Sequence, residues 1–81
     1  MTKVILIEDD PTMVTLLETL LDIEGFEVQQ ATNFDNVVED IEKANAEIVL
    51  MDVYLENHNG IEMLVELRKN NRLNDTKVIM S

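Results

Sequence analysis

An α/β fold built on a parallel sheet is the architecture this sequence predicts, and three observations carry it. Two unbroken aliphatic runs, Val4-Ile5-Leu6-Ile7 and Ile48-Val49-Leu50-Met51, show no polar alternation. That is the pattern of strands buried on both faces of a parallel sheet. Segments of helical period alternate with these runs and with two weaker strand patterns in the order β-α-β-α-β-α-β, which implies right-handed crossovers. Each strong run also ends in acid, Glu8-Asp9-Asp10 and Asp52. Two buried strands would thus deliver carboxylates to one rim, beyond the carboxyl ends where open parallel sheets bind ligands.

The first strand spans Lys3 to Ile7. Asp10-Pro11 marks the switch to helix, because Asp caps well and Pro is favoured at the first helical position. The first helix runs from Pro11 to about Glu24, and Gly25 supplies its stop. Met13, Leu16, Leu17, Leu20, Leu21 and Ile23 fall at helical spacing and are expected to face the sheet. Phe26, Val28 and Gln30 alternate with Glu27 and Gln29, which describes a short, half-exposed strand at a sheet edge. Thr32-Asn33 caps a second helix from about Phe34 to Ala44, with Val37, Val38 and Ile41 inward and Glu39, Asp40 and Glu42 on a solvated face. The third strand is Glu47 to Met51, followed by a loop from Asp52 to Asn59 rich in polar, turn-forming residues. Gly60 opens a third helix through about Asn70, with Ile61, Met63 or Leu64, and Leu67 inward. A loop reaches Asp75, and Lys77 to Met80 begins a fourth strand.

An 81-residue chain makes one small domain, able to bury only about 60% of the surface its unfolded form exposes. Few aromatics and much Leu, Ile, Val and Met make the core aliphatic, and Met13, Met51, Met63 and Met80 are read as gap-filling core residues. Seventeen acids against six bases give a net charge of −11, which repels nucleic acid and anionic membrane and favours cations and basic protein surfaces. The absence of cysteine excludes a disulfide framework and a thiolate site. No apolar run approaches a signal peptide or the ~20 residues needed to cross a bilayer, so a cytoplasmic location is the default expectation.

The chemistry concentrates at the acid-terminated strands. Carboxylates from Glu8, Asp9 and Asp52 crowding one rim require a cation or a shared proton. Asp10 is better explained as the cap of the first helix, but capping does not explain two buried strands that both end in acid. His58 is the single histidine and lacks the second His or Cys of a zinc site. It reads as a structural loop residue, although its place near the acidic rim would let it touch a group bound there or a partner.

These residues resemble the receiver domains of two-component response regulators, which have the flavodoxin-like (CheY-like) fold, a three-layer sandwich around a parallel sheet. Val4-Ile-Leu-Ile-Glu-Asp-Asp-Pro11 resembles the family's first strand with its acidic pair, and Ile48-Val-Leu-Met-Asp52 the strand that carries the phospho-accepting aspartate. Gly60 follows eight residues later, as in the family. The resemblance implies that Asp52 takes a phosphoryl group from a sensor histidine kinase or a phosphotransfer protein, in a signalling domain and not an enzyme. It also implies Mg²⁺ held by Asp9, Asp52, a water-mediated Glu8 and the backbone carbonyl of Tyr54. A hard cation with few carboxylates, waters and phosphate oxygens suits that set.

The chain departs from the family at two places. Glu56 stands where the family commonly has proline, which would loosen the loop or add charge near the metal. The resemblance also puts the switch hydroxyl just after Ser81, so Ser81 is either a displaced version of it or its neighbour, and the lysine of the family's fifth strand has no counterpart. The chain is accordingly expected to be a receiver ending at its fourth strand, without the last helix-strand-helix portion. Such a sheet would leave an open edge and uncovered apolar surface, giving a homodimer, a strand-exchanged oligomer or a purely assembling module as the alternative reading. A phosphohydrolase with a second acid two residues after the nucleophile is disfavoured by Tyr54. A nucleotide-binding half-domain is disfavoured because Glu8-Asp9-Asp10-Pro11 replaces a glycine-rich loop.

Overall fold

The computed structural model describes residues 1–31 and 33–81, so the Thr32 half of the expected helix cap lies outside the described residues. Its elements are β1 (Lys3–Ile7), α1 (Pro11–Ile23), β2 (Glu27–Gln30), a 3₁₀ turn (Phe34–Asn36), α2 (Val37–Ala44), β3 (Ile48–Met51), β4 (Tyr54–Leu55), β5 (His58–Asn59), α3 (Gly60–Lys69) and β6 (Lys77–Met80). Four of them form a parallel sheet in the order β2-β1-β3-β6, and β4 with β5 makes a small antiparallel hairpin. The chain therefore winds from β1 to one side and then returns past it to the other. That reversal opens a crevice between β1 and β3 at their carboxyl ends.

The helix ends obey local chemistry. Asp10 caps α1, its carboxylate accepting from the Thr12 N–H at 3.0 Å, with Pro11 in the first position. At the other end Gly25 takes φ +89°. The Phe26 N–H donates to the Leu21 carbonyl and the Gly25 N–H to that of Asp22, the paired bonds of a Schellman stop. Asn33 caps the 3₁₀ turn, not α2 itself, through the Asp35 N–H at 3.0 Å. Asn59 caps α3 by accepting from Ile61 and Glu62 N–H at 2.8 and 3.3 Å. Arg68 Nη1 lies 2.7–3.2 Å from the carbonyls of Leu73, Asn74 and Thr76, so one guanidinium ties α3 to the loop that leads into β6.

Register sorts the strand side chains into rows across the sheet. Ile5, Val49 and Val78 are paired neighbours, as are Ile7, Met51 and Met80. These rows form one core with Val37, Ile41 and Ala44 of α2 and Leu67 of α3, closed by Leu55 and Leu73. The opposite face carries the rows Val4-Ile48-Lys77 and Leu6-Leu50-Ile79. Cover thins along the second of these: Leu6 is 1% exposed, Leu50 half-buried and Ile79 55% exposed. Hence β1 is buried on both faces as expected, whereas β3 is fully covered on one face only.

That thinning corrects the reading of α1. Only Val14 is buried, and Leu17 and Leu21 are half-buried; Met13, Leu16, Leu20 and Ile23 lie exposed. The apolar surface of α1 is wider than the strip of sheet it sits on, so spacing alone does not tell which residues turn inward. Met13 is for the same reason not a core methionine, whereas Met51 is fully buried and Met63 and Met80 are half-buried. In α3, Ile61 is also exposed, against expectation, because Leu67 holds the sheet-facing position and Ile61 faces a groove beside α2.

Candidate functional site

The acid-terminated strands meet because their ladder carries on past the last paired residues. Ile7 lies opposite Met51, and the Asp52 N–H then donates to the Ile7 carbonyl at 3.0 Å. Glu8 and Asp52 thus leave neighbouring strands at the same height, on the rim of the β1/β3 crevice. Carboxylate oxygens of Glu8, Asp9 and Asp52 come within 4.8 Å of one another. All three were expected there from the sequence, and the parallel register is what joins residues 44 positions apart.

Their environments differ. Glu8 is buried, the single buried charged side chain among the described residues. Its Oε1 accepts from the N–H groups of Asp9 and Asp10, each at 3.1 Å. Burial nevertheless pushes the Glu8 carboxyl above its ordinary range, and the neighbouring Asp52 adds to the rise, while the two backbone N–H groups oppose it. Asp52 is half-buried, and its Oδ1 accepts from the Tyr54 N–H at 3.1 Å. Asp9 is exposed, with its Oδ2 receiving the Glu56 N–H at 2.7 Å.

The segment after Asp52, read from sequence as a loop, is a hairpin. Tyr54 pairs with Asn59 and Leu55 with His58, leaving Glu56 and Asn57 as the two turn residues, and Asn57 takes φ 62°. Asn tolerates that left-handed backbone well, which is why a turn closes here without glycine. Gly60 is favoured for a different reason. A Cβ on it would stand 2.5 Å from the Asp52 carbonyl oxygen and 2.9 Å from Val53 Cα. The start of α3 therefore presses directly on the backbone that presents Asp52. Tyr54 follows in β4 with its side chain 85% exposed. Ser81 lies on the same rim: its N–H donates to the Met51 carbonyl at 3.0 Å and its carbonyl accepts from Val53 N–H at 3.2 Å.

His58 turns toward the 3₁₀ turn. Its Nδ1 is 3.0 Å from the Glu56 carbonyl and its Nε2 2.7 Å from Asp35 Oδ1, with Phe34 edge-on at 5.9 Å. Both partners are acceptors, so the protonated ring, with a proton on each nitrogen, satisfies both contacts. The Glu56 carbonyl first, and Asp35 second, hold its pKa above the ordinary value. The Glu56 peptide and this His58–Asp35 link escaped the sequence reading. The one available signal was Glu56 itself, a residue with an N–H where the resembled family commonly has proline.

The response regulator receiver domain pattern matches residues 4–81, and the chain belongs to this family. It is 44% identical over 71 residues to the transcriptional regulatory protein CpxR homolog of Haemophilus influenzae, covering 85% of this chain and 30% of that protein. The chain therefore spans under a third of that relative's length. Among solved structures it is similar to the response regulator protein TrrA, determined in complex with the histidine kinase ThkA, at 28% identity and a TM-score of 0.85, covering 99% of this chain and 67% of that one. The receiver domain of sensor histidine kinase PA1611 from Pseudomonas aeruginosa, determined with magnesium coordinated in its active-site cleft, matches at a TM-score of 0.88 and 24% identity, covering 98% of this chain and 65% of that one. That last likeness is one of fold. Among the described residues, no helix is long and apolar enough to cross a membrane.

Proposed function

We propose that this chain is the phospho-accepting receiver of a two-component phosphorelay, with Asp52 as the acceptor and a sensor histidine kinase or phosphotransfer protein as the donor. The observation that carries this reading is the convergence of Glu8, Asp9 and Asp52 at the β1/β3 crevice, in a chain of this family. A donor set of carboxylates within 4.8 Å of one another, with Glu8 pushed up by burial and then by Asp52, fits a hard divalent cation such as Mg²⁺. Asp9 and Asp52 would hold it, with Glu8 through water and the Tyr54 carbonyl as the backbone ligand. When bound, the cation supplies charge neutralisation at the transferring oxygens.

The residues of the chain do the rest by position. An Asp52 carboxylate oxygen attacks phosphorus, forming a P–O bond as the P–N bond of a phosphohistidine donor breaks, and the imidazole leaves with a proton from solvent. The Tyr54 N–H fixes Oδ1 of Asp52 and so leaves its other oxygen to the attack. Gly60 lets α3 start against the Asp52 carbonyl without displacing it. Ser81, on the same rim, is our candidate for the hydroxyl that answers the new phosphoryl charge and passes it to an output surface.

Incubation with Mg²⁺ and acetyl phosphate, followed by intact mass, tests the reading. A phosphoryl gain is expected for the parent chain and none for Asp52→Ala. No gain in a folded parent overturns it.

A second reading, self-assembly, is favoured by the exposed apolar side chains Ile79 on β6 and Leu16, Leu20 and Ile23 on α1. Size-exclusion with light scattering is expected to show a concentration-dependent dimer on this reading. A monomer at every concentration removes it.

A further inference from the structure

The 2.7 Å bond from the Glu56 N–H to Asp9 Oδ2 joins the β4–β5 turn to the loop after β1, across 47 residues of sequence. Glu56 holds the first central position of that turn, between paired Leu55 and His58. Of the two central residues only Asn57 has positive φ. Turns with positive φ at the second central position favour proline at the first, so the backbone here would accept the proline that the resembled family carries. What proline cannot supply is the N–H. Glu56 supplies that donor, and it points at Asp9, an acid of the proposed cation site.

Its effect on Asp9 follows from geometry. Asp9 is exposed, and an exposed carboxylate on a loop samples several rotamers. With Oδ2 held by the turn, the other oxygen remains for the cation, beside Glu8 and Asp52. The same residue is anchored on its far side, since the Glu56 carbonyl lies 3.0 Å from Nδ1 of His58, whose Nε2 is held by Asp35 at 2.7 Å. The donor is thus fixed by its own partners before any cation arrives.

We infer that the peptide N–H of Glu56 is a positioning group that pre-orients Asp9 for Mg²⁺, a role that proline at this place could not fill. This rests on the cation reading given above. Outer-shell hydrogen bonds of this kind typically change metal affinity by about 10–100-fold.

The test compares Glu56→Pro with Glu56→Ala by calorimetric titration of Mg²⁺. Both variants lose the side-chain carboxylate, and only the first loses the N–H. The expected result is a Kd for the Pro variant roughly tenfold or more above that of the Ala variant. Equal Kd values, in a parent that binds Mg²⁺, overturn the positioning role alone. A parent that takes up no Mg²⁺ overturns the cation reading and this role with it. Should the Pro variant not fold, the amide proton of Glu56 decides: it is expected far downfield in the parent and displaced upfield in Asp9→Ala, and a resonance unmoved by that substitution overturns the inference.

Discussion

Replacing Gly60 by Ala tests whether the start of α3 and the presentation of Asp52 are one packing problem. The new Cβ would sit 2.5 Å from the Asp52 carbonyl oxygen and 2.9 Å from Val53 Cα, whereas ordinary contact begins near 3.4 Å. The third neighbour, Met80 Cε at 3.2 Å, can swing away. The other two are backbone and cannot move without shifting the end of β3 or the first turn of α3. Forcing such a shift costs about 1–3 kcal/mol. For a domain of this size each kcal/mol lowers Tm by roughly 4–8 °C, so about 2 kcal/mol predicts a fall of roughly 8–16 °C. Thermal unfolding by circular dichroism reads the stability, and calorimetry reads Mg²⁺ uptake, which is expected to weaken because the displaced atoms carry Asp52 and Tyr54. Gly25→Ala is the control: it has φ +89° but nothing within 4 Å. It should lose about 1–2 kcal/mol from backbone strain and leave Mg²⁺ affinity unchanged. A Gly60→Ala chain that melts with the parent and binds Mg²⁺ equally would refute the steric argument.

Two further outcomes follow from the charges. Glu8→Gln keeps the oxygen that accepts both N–H bonds and removes the buried charge. The Glu8 pKa is raised in the folded chain, so its contribution to stability is complete below its unfolded value and is lost as pH rises through the folded one. The Gln variant should therefore melt above the metal-free parent at pH 7 and show no such advantage near pH 4. Saturating Mg²⁺, at about 100 times Kd, should stabilise the parent by about 2.7 kcal/mol and the variant by less; a Tm order that does not depend on pH would contradict this. His58 likewise has a raised folded pKa, so its link to Asp35 and the Glu56 carbonyl stabilises fully below about 6.5 and fades as pH rises through the folded value. His58→Gln should accordingly lose more Tm at pH 5.5 than at pH 8.5, and an equal loss at both would show that the ring acts by packing alone.

Much of this molecule is written locally. The aliphatic runs of β1 and β3, the Asp10-Pro11 start and Gly25 stop of α1, and the acids that end both strands are short-range patterns with short-range causes: chain stiffness, capping and the exclusion of apolar side chains from water. They suffice for the parallel α/β architecture and for nominating Glu8, Asp9 and Asp52. Other features depend on partners distant in the chain. Which of the α1 residues are buried depends on how much sheet lies beneath them, so Val14 is covered while Met13, Leu16 and Leu20 are not. The hairpin at 54–59 closes on the left-handed Asn57 and places His58 against Asp35, a partner 23 residues away. The Glu56 N–H reaches Asp9 only once β1 and β3 are side by side. Periodicity and composition report what each residue prefers to contact, and on that basis they identified the four strands of the parallel sheet and the acids, but not the hairpin strands β4 and β5. The tertiary structure decided which preferences were met, because burial and hydrogen bonding are settled by the one neighbour that arrives, and register across the sheet determines which neighbour that is.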